Sequence, residues 1–112
     1  MIGDTPFGID FEPGLWPAPW TNDAIVTTHG VAGSWVGARV VAITMDPTTG
    51  LAVPATDMDG ANSGAMTNFA TGWDDRTTSH GRPAAVTFAS DGRLFLSNDN
   101  NGVIVWIAPI SL

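Results

Sequence analysis

Two turn signals close together near the C-terminal end constrain this chain more than any other feature. Ser90-Asp91-Gly92 and residues 98–102, Asn-Asp-Asn-Asn-Gly, separate three short apolar runs. Asp-Gly and Asn-Gly pairs accept the positive φ that a tight hairpin demands, because glycine and short polar side chains do not clash there. The first run, residues 83–89, places Ala84, Val86 and Phe88 at alternate positions. The second, residues 93–97, carries Leu94 and Leu96, and the third, residues 103–107, is apolar throughout. A period of two between such turns predicts a three-stranded antiparallel meander.

The same logic applied upstream predicts strands over residues 5–11, 24–29, 35–45 and 66–71. In the first of these Phe7, Ile9 and Phe11 share one face. Residues 15–20 contain Pro17 and Pro19, which remove ladder donors, so this segment reads as an irregular aromatic crossing. Residues 54–65 and 72–80 read as polar loops, and no amphipathic helix is apparent. A weak repeat links the two ends. Pro6 and Pro83 are each followed by an apolar residue three places on, Phe five places on, and a turn closed by Gly. The expectation is an all-β chain of antiparallel meanders, with a four-stranded unit over residues 5–71 and a three-stranded unit over 81–108. These amount to about two β-propeller blades, the second lacking a strand as a ring's closing blade would; a small β-sandwich is the alternative.

Charge excludes several partners. Eleven acidic and four basic residues leave a net charge of −7, and all four basic residues are arginines (Arg39, Arg76, Arg82, Arg93). Nucleic acid and anionic membrane surfaces both require clustered cations, so neither is an expected partner. With no cysteine, a disulfide framework or thiolate metal site is ruled out. No run approaches the roughly 18 apolar residues of a membrane helix. The first ten residues lack the basic start and apolar core of a signal peptide, so the chain is expected to be unsecreted, mature or trimmed. The apolar share of 44% suffices for a core in a single domain or part of one.

Few residues carry chemistry. His29 precedes Gly30 with Trp35 nearby, which places an imidazole at a strand end beside a flexible turn. Such a group either lines the mouth of a site or bonds to nearby backbone. Arg82, next to His80 and Gly81, either clamps a carboxylate through its guanidinium fork or pairs with Asp74 or Asp75. Asp57, Asp59 and Asn62, with Gly60 for the bend, loosely match a calcium loop without its distal bidentate glutamate. Nucleophile-elbow, Walker and zincin motifs are absent. Two histidines cannot make a three-histidine metal site. The five tryptophans read first as core, and second as a sugar-stacking surface.

Taken in order, Gly8 to Phe11, the segment leading to His29-Gly30 with Ser34-Trp35, Arg39 to Ile43, Asn68 to Trp73, Gly81 to Val86 and Ser90 to Ile104 form a familiar set. It resembles the C-terminal part of the pyrroloquinoline-quinone-dependent glucose/sorbosone dehydrogenases, and the resemblance covers nearly the whole chain. It implies a six-bladed propeller, usually periplasmic, that oxidises the anomeric carbon of sugars with the quinone and calcium. Arg82 then falls where the family places an arginine facing a cofactor carboxylate. His29 falls on its His-Gly-Ser-Trp motif, interrupted here by residues 31–33. The blades holding the family's general base and most calcium ligands have no counterpart. The chain is therefore expected to act, if at all, inside a larger assembly; a non-catalytic binding or accessory subunit is the alternative. An open pair of blades would leave strand edges and an apolar face in water, so a homo-oligomer or partner chains are expected.

Overall fold

A computed structural model describes residues 5–54 and 65–111 of the chain. The described residues are all-β, in two antiparallel meanders without a helix. The first sheet is formed by β1 (Pro6–Phe11), β2 (Ala24–Thr28), β3 (Arg39–Ile43) and β4 (Met66–Ala70), hydrogen-bonded in that order. The second contains β5 (Pro83–Phe88), β6 (Leu94–Asn98) and β7 (Val103–Ile107), also in chain order. Each hairpin predicted around Asp91-Gly92 and Asn101-Gly102 forms: Gly92 and Gly102 take φ of 89° and 70°.

The strand predicted over residues 35–45 begins only at Arg39. Trp35 and Gly37 take φ of 58° and 93°, so residues 31–37 cannot extend and instead close as turns. Val31 N–H donates to the Val36 carbonyl at 2.9 Å and Trp35 N–H to the Val31 carbonyl at 2.7 Å. The predicted strand ends at residues 29 and 71 likewise retreat by a residue, to Thr28 and Ala70.

The sheets meet through β5, which packs against β1 and β2. One apolar core joins them: Ile25, Val40 and Ala42 from the first sheet, Val86, Leu94 and Leu96 from the second, and Trp16 from the crossing segment. The face that β1 turns toward β5 is its polar one. A side chain at Gly8 would lie 2.5 Å from the Ala84 carbonyl oxygen, so only glycine lets the two backbones approach this closely. Thr27 Oγ1 accepts from Gly8 N–H at 2.8 Å and donates to the Ala84 carbonyl. Asp10 Oδ2 accepts from Phe88 N–H at 2.7 Å. Phe7, Ile9 and Phe11 do share a face, but it is the outward one, and they are 63, 57 and 53% exposed.

The aromatic crossing is organised by a buried carboxylate. Glu12 is 2% exposed, and its two oxygens accept from the N–H groups of Gly14, Leu15, Trp16 and Asn22, each at 2.7 Å. These four donors come from a segment that Pro17 and Pro19 keep out of any sheet. The carboxylate supplies the acceptors that a β-ladder would otherwise provide.

Candidate functional site

His29 follows β2 directly, and its backbone N–H donates to the Thr5 carbonyl at 2.9 Å. Gly30 then turns the chain with φ of 76°, in a space where a Cβ would strike the backbone of Val36 and Ala38. The compact turn that follows carries Trp35 back over the imidazole. Phe7 stacks on one face of the His29 ring, centroids 4.1 Å apart and planes at 15°, while Trp35 meets it edge-on at 5.6 Å. The interrupting residues 31–33 thus belong to the turn that returns Trp35 to the histidine.

Arg82 reaches the same place from the second sheet. Its backbone is held by the turn after β6: Arg82 N–H donates to Asn98 Oδ1 at 2.7 Å, and Asp99 N–H donates to the Arg82 carbonyl at 3.1 Å. Its guanidinium lies over the Trp35 ring, 4.5 Å from the centroid, and Nε donates to Asp99 Oδ1 at 2.8 Å. The alternative pairing with Asp74 or Asp75 does not form; the carboxylate that Arg82 holds is that of Asp99. Asp74 accepts instead from Gly37 N–H, and Asp75 faces His80 at 3.7 Å. The backbone bonds of Arg82 to Asn98 and Asp99 set its side chain beside that turn.

Asp99 therefore sits between His29 and Arg82. Its Oδ2 is 4.0 Å from His29 Nε2, too far for a hydrogen bond, and that nitrogen has no hydrogen-bond partner although it is fully buried. Burial is the main cause holding the His29 pKa below its usual value; Asp99 pulls it up and Arg82 pushes it down. The imidazole is accordingly neutral at pH 7. The guanidinium uses Nε for Asp99, and its two terminal nitrogens make no hydrogen bond to the described residues. The cluster is thus a paired but incompletely used cation next to an orphaned buried nitrogen, walled by Phe7 and Trp35.

Sequence reasoning placed His29 and Arg82, and the structure brings the two together. It missed Asp99, which reads as turn chemistry, and Phe7, which reads as a strand face. Only the contact between the two sheets joins them. Asp57, Asp59 and Asn62 lie outside the described residues. Among the described residues no group of three His, Asp or Glu side chains could hold a metal ion. A separate polar cleft of about 510 Å³, lined by Gly37, Arg39, Asn68, Asp74 and Arg76 among others, includes neither His29 nor Arg82. Within it Asp74 Oδ2 accepts from Gly37 N–H and so serves the turn there.

The depressed pKa makes a pH prediction. Unfolded, His29 titrates near its ordinary value of 6.5; folded, it binds its proton only at lower pH. The unfolded chain therefore binds more protons in that window. Stability is at full strength above pH 6.5 and falls as pH drops from 6.5 toward the folded pKa, with a slope of at most about 1.4 kcal/mol per pH unit. Denaturant titrations between pH 7.5 and 5 should show this loss, and His29→Leu should flatten it. A wild-type stability that is level over that range would contradict the assignment.

Comparison of the chain with protein-family models, with curated proteins and with solved structures finds no match.

Proposed function

We propose that this chain is part of a quinone-dependent sugar dehydrogenase propeller, with its two sheets as neighbouring blades, and that it works only within a larger assembly. The observation that carries the reading is the convergence of His29 and Arg82. The two positions that the sequence resemblance assigns to a cofactor-facing end come from different sheets, yet they meet across Asp99 and Trp35. Meanders in chain order, packed through β1 and β5, support the reading, the second sheet having three of a blade's four strands.

The residues fit the cofactor at one point. Pyrroloquinoline quinone carries carboxylates, and the terminal nitrogens of Arg82 are donors still open to a carboxylate in a forked geometry. Asp99 fixes the guanidinium plane through Nε, and Trp35 supports its flat face, so the fork is oriented before any ligand arrives. His29, neutral and shielded from water, is placed to back this arrangement, adding no second positive charge beside Arg82. When bound, the quinone supplies the two-electron oxidant for the sugar. The assignment to the periplasm or the extracellular space rests on the same resemblance.

Titration of the full chain with pyrroloquinoline quinone, followed by tryptophan fluorescence and by native mass with and without calcium, tests the proposal. Saturable binding is expected, weakened roughly ten- to a hundred-fold by Arg82→Gln, the loss of charge-assisted hydrogen bonds to one carboxylate. Absence of quinone binding, or equal affinity in the variant, would remove the cofactor reading.

A further inference from the structure

The second sheet ends at β7, and the outer edge of that strand is unpaired among the described residues. Val103, Ile104, Val105 and Trp106 are 45, 71, 39 and 57% exposed, so both faces of the strand meet solvent. Free edges normally carry a guard, such as a charge, a proline or a bulge. β7 has none of these: its sequence is wholly apolar and its pairing with β6 runs from Leu94↔Ile107 to Asn98↔Val103 without a shift. The outer edge of the first sheet is built differently. β4 includes Thr67 and Asn68, and its pairing with β3 breaks between Val40 and Val41.

We propose that β7 is a self-association edge, at which a second copy of this chain adds its own β7 in antiparallel register about a two-fold axis at Val105. That register sets Val103 against Ile107 and Ile104 against Trp106 of the second copy, apolar against apolar at every position. Side-chain direction is consistent with it. Ile104 and Trp106 are paired with Ser97 and Phe95, so they share the face opposite Leu94 and Leu96. Beside Trp106 lies a cleft of about 350 Å³ lined by Asp91, Arg93, Ala108 and Pro109.

Charge favours this occupant. Two chains of −7 repel through most of their surfaces, but β7 contains no ionised group, and Arg93 lies over the rings of Phe95 and Trp106 on the same face. Arg93 is itself paired with Asp91 Oδ2 at 2.9 Å, so the strip is close to neutral, and it is where two acidic copies approach at least cost. A two-fold contact also closes both edges at once, giving a dimer where an unguarded edge would otherwise grow without limit. This surface lies apart from the His29 cluster and does not rest on the quinone reading.

The chain has no cysteine, so single-cysteine variants report unambiguously. Under mild oxidation Val105→Cys is expected to form a disulfide-linked dimer at least ten times faster than Met66→Cys on the β4 edge, because only position 105 faces itself across the axis. A strand-edge contact is smaller than the roughly 1,200–2,000 Å² of standard interfaces, so sedimentation of the wild-type chain should show one-to-two-chain exchange at micromolar to submillimolar concentrations. Ile104→Lys, at a solvent-facing position that leaves the monomer's core intact, should raise the dissociation constant at least ten-fold. A chain that stays single up to about 1 mM, equal cross-linking at positions 105 and 66, a dimer unaffected by Ile104→Lys, or growth beyond two chains would each overturn the proposal.

Discussion

Glu12→Ala is expected to lower the unfolding free energy by about 3–5 kcal/mol, the range seen when one side of a buried charged network is removed. The carboxylate, on a residue 2% exposed, accepts four backbone N–H groups at 2.7 Å. Alanine would strand donors in a segment where two prolines forbid a return to sheet pairing. A small domain has about 5–15 kcal/mol in total, so the variant should sit at the margin of folding. Glu12→Gln keeps one acceptor oxygen but turns an amino group toward backbone donors, and should lose more than about 1 kcal/mol but less than alanine. Neighbouring Asp23 adds a readout. Its pKa is raised chiefly by burial, offset by a bond from Met45, and raised further by the Glu12 charge. Denaturant unfolding of both variants checks the order; a loss below about 1 kcal/mol for alanine would show that the four amides find water.

Trp16→Ala is the second large effect, at about 3–5 kcal/mol. Trp16 is 4% exposed and belongs to neither sheet, yet it fills the space between them. Its ring stacks on Phe69 of β4 at 5.4 Å and meets Phe88 of β5 edge-on at 5.3 Å. Its indole N–H donates at 2.7 Å to the Gly92 carbonyl in the β5–β6 turn. Removing it opens a cavity bordered by both sheets, and the cost is the lost transfer energy plus the unfilled volume. Trp16→Phe separates the parts: most of the packing remains, while the Gly92 carbonyl loses its donor, for about 1–2 kcal/mol. Were the phenylalanine variant as unstable as alanine, the hydrogen bond and not the packing would hold the sheets together.

The two prolines tie these results to one segment. They exclude residues 15–20 from regular pairing, and the structure then uses the freed backbone as a plug, fixed at one end by Glu12 and driven into the core by Trp16. The irregularity was readable, whereas its purpose was not, because the acceptor and the aromatic partners lie on other elements.

Local chemistry alone determined the seven strands, their antiparallel order and their turns. Asp91-Gly92 and Asn101-Gly102 demand positive φ wherever they stand, and alternating apolar residues demand a face wherever the strand goes. Which face is buried was decided only in three dimensions: on β1 the polar face carrying Gly8 and Asp10 won, because close approach to Ala84 and Phe88 left no room for Phe7, Ile9 or Phe11. The start of β3 moved to Arg39 because the turn that seats Trp35 on His29 consumed four residues of an otherwise strand-like run. His29 and Arg82 were legible one at a time as a strand-end imidazole and a lone arginine. Their meeting across Asp99 depends on two sheets packing through β5, a long-range contact that no local pattern encodes.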